Sequence, residues 1–123
     1  MSDAYDLYQL GKSHLRAGMA AQATVALEKA KRLEPEKASI REALGIAYFR
    51  ITRWTEAEAE FRKLLELAPA DDYAHFALGR SLQKQGRHEE AAPLLALARC
   101  LRRPRPGERP GLPEPIRLEQ RSS

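Results

Sequence analysis

Three observations predict an all-α protein built as an array of three stacked helical hairpins. The first is a repeat with a period of 34 residues, the kind of self-similarity that marks stacked repeat architectures. Leu10-Gly11 returns as Leu44-Gly45 and Leu78-Gly79, Ala23 as Ala57 and Ala91, and Leu27 as Phe61 and Leu95. The second is spacing: within each copy, apolar residues recur at three- and four-residue steps over two stretches, as amphipathic helices require. The third is punctuation. Gly18 and Gly86 fall between the two helical stretches of their copies, and Pro35 and Pro69 fall where one copy meets the next. Glycine closes a helix at little cost, and proline can begin a helix but breaks its interior.

The middle copy, Ala38–Asp71, is the clearest. It carries Leu44, Gly45, Tyr48, Ala57, Phe61 and Pro69 in the spacing of the tetratricopeptide repeat. It resembles that family, departing with Arg41 where the family pattern has tryptophan. The resemblance covers Ala4 to Arg105. It implies a right-handed α-solenoid of three helix-turn-helix repeats at 4–37, 38–71 and 72–105. A short leader (1–3) precedes them, and a flexible Pro- and Arg-rich tail (106–123) follows.

In the first copy, helices are expected near Ala4–Ala17 and Ala20–Leu33, and His14, at the register of Tyr48, is expected to pack between helices. The second copy places helices at Ala38–Arg50 and Glu56–Leu67, with Trp54 packing near the turn between them. The third copy begins at Asp71 or Asp72, either able to cap a helix N-terminus, and His75 takes the family's tryptophan position. Pro93 then lies inside its second helix, where a hydrogen bond should be lost and a kink introduced. Leu94 and Leu97 stand where the other copies have Ala26 or Glu60 and Lys29 or Lys63. From Pro104 the composition turns to proline, glycine and arginine, which suits extended chain rather than a core. Pro110-Gly111-Leu112-Pro113 fits a PxxP pattern, which is inexpensive to find in such a segment.

Composition narrows the classes. The 123 residues hold 43% hydrophobic but only 7% aromatic residues, as closely packed alanine-rich helices would. No apolar run is long enough to span a bilayer, and the acidic start, Met1-Ser2-Asp3, is unlike a signal peptide. The lone Cys100 rules out an internal disulfide framework, and the cytoplasm is the expected compartment. His14, His75 and His88 lie in different register positions, and neither a Gly-rich phosphate loop nor a metal motif is present. The expectation is a protein with no catalytic residues, cofactor, metal or small-molecule substrate. The net charge of +4 does not by itself imply nucleic acid. The arginines at 99, 102, 103, 105 and 109 lack aromatic interleaving and are diluted by Glu108 and Glu114.

In proteins of the resembling family, the first helix of each repeat lines a concave peptide-binding wall. By that resemblance the wall here comprises Tyr5, Tyr8, Lys12, Leu15 and Arg16, then Ser39, Glu42, Ile46, Phe49 and Arg50, then Tyr73, Phe76, Arg80, Gln83 and Lys84. These positions hold five bases against one acid, and five of the chain's seven Phe and Tyr residues. Arginine pairs with carboxylates, and aromatic rings supply contact area at low entropic cost. The expected partner is therefore a protein or peptide segment that is acidic with apolar anchors, and the expected role is that of an adaptor or scaffold. Arg16, Arg50 and Lys84 could alternatively serve their own helix C-termini. One branch of the family clamps the acidic C-termini of chaperones through lysine, asparagine and arginine. At those positions this chain has Tyr8, Lys12, Ala43, Tyr73 and Ala77, which argues against that mechanism.

A terminal repeat needs a polar outer face, yet no capping helix follows the third copy. Leu94, Leu97 and Leu101 are accordingly expected to form an apolar end. A homodimer could cover it, as could another protein or a fold-back of Leu112, Ile116 and Leu118. A self-associating structural module is the alternative function.

Overall fold

The computed structural model describes residues 3–102, which form six α-helices and no strand. These are α1 (Ala4–Arg16), α2 (Ala20–Leu33), α3 (Ala38–Arg50), α4 (Trp54–Leu67), α5 (Asp72–Lys84) and α6 (His88–Leu101). The expectations for the Pro-rich tail, the PxxP pattern and the fold-back of Leu112, Ile116 and Leu118 lie outside the described residues. Helices pair as antiparallel hairpins, α1 with α2, α3 with α4 and α5 with α6. The hairpins stack through α2 on α3 and α4 on α5, giving an all-α solenoid.

Local chemistry sets the helix ends. Asp3 caps α1 by accepting from the Asp6 N–H at 2.9 Å, and Asp71 caps α5 by accepting from the Tyr73 N–H at 3.0 Å. Each hairpin turn closes in the same way. The N–H of Met19, Arg53 and Arg87 donates to the carbonyl of His14, Tyr48 and Leu82 at 2.8, 2.9 and 2.9 Å. This six-residue closure needs a left-handed residue just before the donor. Gly18 (φ 78°) and Gly86 (φ 79°) supply it in two turns, and Thr52 (φ 63°) supplies it in the third. α4 starts at Trp54, ahead of the expected Glu56. α6 runs through Pro93 to Leu101 with the proline at the surface, so the helix forgoes the one hydrogen bond to the Glu89 carbonyl that an N–H at this position would make.

Within each hairpin the helices approach to contact at one glycine. A Cβ on Gly45 would lie 2.5 Å from the Phe61 ring, and one on Gly11 would lie 2.5 Å from Leu27. That spacing admits no side chain, which is why Leu-Gly recurs at the period of the repeat.

The two junctions between hairpins are built differently at one shared register. At the first, Glu60 accepts from Lys31 of the preceding hairpin and from Arg41 of its own, each at 2.9 Å. Arg41 also donates to the Pro35 carbonyl. At the second, the same three positions hold Leu65, Leu94 and His75. The two leucines are half-buried against the main core, and His75 is buried with its Nδ1 3.0 Å from the Asp71 carbonyl. An ionic cluster has become an apolar one. Leu94 thus occupies the register at which Glu60 meets the preceding hairpin.

Candidate functional site

The first helices, α1, α3 and α5, form one wall of the solenoid, and α3 and α5 are its most buried elements. Their burial follows from position: each is held by its own hairpin partner and by the second helix of the preceding hairpin. The wall positions separate into surface and floor. Tyr5 (67% exposed), Arg16 and Lys84 are exposed, while Tyr8, Lys12, Arg50, Arg80 and Gln83 are half-buried. Leu15, Ile46, Phe49, Tyr73 and Phe76 are buried and belong to the main core. Tyr73 and Phe76 lie with ring centroids 6.5 Å apart, tilted at 50°.

The basic residues each have an environment. Lys12 Nζ sits 4.9 Å above the Tyr8 ring centroid. Arg50 reaches back to the first hairpin, where its Nη1 donates to the Leu15 carbonyl at 2.7 Å. Arg80 Nη1 donates to Gln83 Oε1 at 2.8 Å. Lys84 Nζ lies 5.5 Å from the centroid of Trp54, whose indole is packed edge-on against Phe49 at 4.8 Å. Cation–π placement of this kind keeps an ammonium near an aromatic face while leaving other N–H directions to a ligand. Arg50 and Lys84 share a register, and each engages the hairpin before its own.

A second polar cluster lies at the outer rim of the second junction and was not singled out by sequence. Glu58 accepts from Arg62 Nε at 2.8 Å, Arg87 Nη1 at 2.8 Å and Gln85 Nε2 at 3.0 Å. Burial alone would raise the Glu58 carboxyl. The hydrogen bonds from Gln85 and Arg62, with the charges of Arg62 and Arg87, outweigh it and hold the group below its ordinary range. Glu90 pairs with Arg87 at 2.8 Å, which raises the Arg87 guanidinium further above its ordinary value. The signal for this cluster was the charge alternation of Glu58, Arg62, Arg87 and Glu90 across one period.

The apolar end predicted from Leu94, Leu97 and Leu101 is divided. Leu94 packs on the core as described, Leu101 is half-buried and Leu97 is 44% exposed. His14, expected between helices, is half-buried beside Leu7 and Leu10 at the opposite end of the array. Among the described residues, no group of three His, Cys, Asp or Glu side chains is placed to hold a metal, and no helix is long and apolar enough to cross a membrane.

The fold and the layered wall define a helical-repeat solenoid. A family model described as "Tetratricopeptide repeat" matches residues 8–72 and again 43–108, and the chain belongs to the tetratricopeptide repeat family. It is 37% identical over 81 residues to mouse Superkiller complex protein 3, a match covering 66% of this chain and 5% of that protein. The chain therefore spans about one twentieth of the length of this curated relative. Among solved structures, it superposes on MamA AMB-1 with a TM-score of 0.77 at 29% identity, covering 81% of this chain and 59% of that one. It also superposes on the second tetratricopeptide domain of Spaghetti (RPAP3) bound to the HSP90 peptide SRMEEVD. That match has a TM-score of 0.77 at 18% identity and covers 82% of this chain and 94% of that one, a likeness of fold.

Proposed function

We propose that this chain is a non-catalytic protein-interaction module, an adaptor or scaffold, that takes an acidic peptide segment along the α1–α3–α5 wall. The observation that supports the reading is that Lys12, Arg16, Arg80 and Lys84, all on the first helices of their hairpins, keep solvent exposure while Phe49, Tyr73 and Phe76 of the same helices are buried. Lys12, Arg16, Arg80 and Lys84 contact the acids. Tyr5 and Tyr8 supply apolar contact at the surface, and Ile46, Phe49, Tyr73 and Phe76 hold the wall rigid from beneath. Arg50 contributes charge, but its bond to the Leu15 carbonyl gives it a structural duty as well. The structure of RPAP3 with an HSP90 peptide is of a relative in fold that holds an acidic segment. The clamp positions Tyr8, Lys12, Ala43, Tyr73 and Ala77 call for a different set of contacts here. The expected setting is the cytoplasm.

The test is fluorescence anisotropy with a set of labelled acidic peptides carrying Leu or Phe anchors, at low and high salt. The variant combines Lys12→Glu, Arg16→Glu and Lys84→Glu, leaves Arg50 in place, and is checked for helicity by circular dichroism. Binding that falls with salt and is lost in the folded variant supports the reading. Binding unchanged in the variant ends it.

A second reading has an observation of its own. Leu97 is 44% exposed where the other copies carry Lys29 and Lys63, so the Leu94, Leu97 and Leu101 end is also a candidate self-association surface. Under that reading, Leu97→Glu removes function while the wall variant retains it.

A further inference from the structure

The two ends of the array are complementary to each other. Between neighbouring hairpins, Leu44 of α3 and Leu78 of α5 are sealed, at 0% and 1% exposure, where α2 and α4 pack across them. The same register in α1 is Leu10, which is 49% exposed. With no hairpin packed before it among the described residues, α1 and α2 leave an open cavity of about 270 Å³ lined by Leu7, Leu10, His14, Val25, Ala26 and Lys29. Val25 at its lip is 60% exposed.

Register then says what fits there. At the second internal junction the rim meets charge with charge, Glu58 against Arg87 at 2.8 Å and Arg62 against Glu90 at 3.8 Å. On α6 the positions of Glu58 and Arg62 are Ala92 and Ala96, both exposed. In the first hairpin the positions of Arg87 and Glu90 are Met19 and Gln22, also exposed. At that register each end has lost charge where the other has lost it, so joining them there strands no ion. Two further charged positions are opposite in sign, while Lys29 adds a base at the edge of the acceptor cavity. Asp6 stands at the register of Ile40 and Ala74, which are buried within the array, and exposed Arg99 stands at the register of Lys31 and Leu65.

We propose that α6 of one copy docks into the Leu10–Val25 cavity of a second copy, continuing the hairpin stacking head to tail. Each chain then offers one donor face and one acceptor face, and association is open-ended rather than closed into a twofold dimer. These surfaces are separate from the α1–α3–α5 wall, so failure of this inference leaves the peptide-binding reading standing, and the converse also holds.

The test uses the full chain in sedimentation velocity over a concentration series. Wild type is expected to give a mass distribution that grows with concentration. Val25→Glu removes the acceptor face and Ala96→Glu the donor face; both sites are exposed, so each variant should fold, as circular dichroism would verify. Each alone is expected to be monomeric. An equimolar mixture is expected to form one heterodimer and nothing larger, because only one live face of each kind remains. As a second measurement, Asp6→Arg or Arg99→Asp alone should weaken assembly roughly tenfold, and the two together in one chain should restore it. A monomeric wild type overturns the proposal, including the case in which residues 103–123 of the same chain cover either face. Assembly by either blocked variant alone, or a mixture that stays monomeric, also overturns it.

Discussion

Arg50 and Leu15 are joined across a hairpin junction: the Arg50 guanidinium donates to the Leu15 carbonyl at 2.7 Å. That carbonyl lies in the last turn of α1 and also accepts from the Gly18 N–H at 3.1 Å, so Arg50 adds a second donor at a helix end. A base at this register is thus a brace between neighbouring hairpins. Arg50→Ala is expected to lower stability by about 1–3 kcal/mol in urea unfolding, the loss of a hydrogen bond from a charged donor. Arg16→Ala, at the same register but exposed, should stay within about 0.5 kcal/mol of wild type.

Glu60 predicts a contrast between removal and replacement. Its side chain is only 6% exposed and is shared by Lys31 and Arg41. Glu60→Ala leaves two partly desolvated cations and should cost about 2–3 kcal/mol, less than the penalty for a fully buried pair. Copying the second junction onto the first, with Lys31→Leu, Glu60→Leu and Arg41→His together, should cost little or stabilise. The pair of unfolding curves checks this, and the triple variant should lose most of the salt dependence of the junction.

Thr52 is a β-branched residue at φ 63°, in a turn that its two counterparts close with glycine. Left-handed backbone costs a non-glycine residue roughly 1–3 kcal/mol, which exceeds the extra unfolded-state entropy of glycine. Thr52→Gly should therefore stabilise by about 1 kcal/mol. In calorimetry this is a rise of about 4–8 °C in the midpoint for a domain of this size.

Acid should attack the Glu58 cluster. The Glu58 carboxyl is held below its ordinary value of 4.5, so the folded state binds its proton less readily than the unfolded chain does. Its contribution is complete above that ordinary value and is lost as pH falls through the lower folded one. Glu56 and Glu90, held low chiefly by hydrogen bonds from Arg53 and Arg87, act in the same direction. Urea midpoints measured from pH 7 to pH 3 should fall below about pH 4.5 in wild type. Glu58→Gln should be less stable at neutral pH and show a shallower acid limb.

Much of the fold was legible because its determinants repeat. Gly45 and Phe61 touch for the same reason that Gly11 and Leu27 do, and a period makes that visible. Asp71, rather than Asp72, proved to be the cap of α5, a choice that turns on backbone direction at a single residue. Thr52 was overlooked because its side chain argues against the conformation that the register demands. At the wall, the family resemblance assigned Tyr73 and Phe76 to the first helix of the third repeat. It could not say that their rings tip into the core, because that depends on how closely the preceding hairpin approaches. The wider environment of Leu94 was hidden similarly: its apolar character matches Leu65 across the junction, a relation between hairpins rather than along one.

Trp54 is the chain's single tryptophan, and it stands between Phe49 of its own hairpin and Lys84 of the next. Its emission therefore reads the seam between the second and third hairpins, whereas far-ultraviolet ellipticity sums all six helices. In an array whose parts hold only their neighbours, the two signals need not change together. Coincident melting curves would mark the molecule as one cooperative body, and separated curves would time the opening of that seam against the rest. An intrinsic optical gauge is thus already installed at one joint of the solenoid, within reach of any acid that draws Lys84 away from the indole.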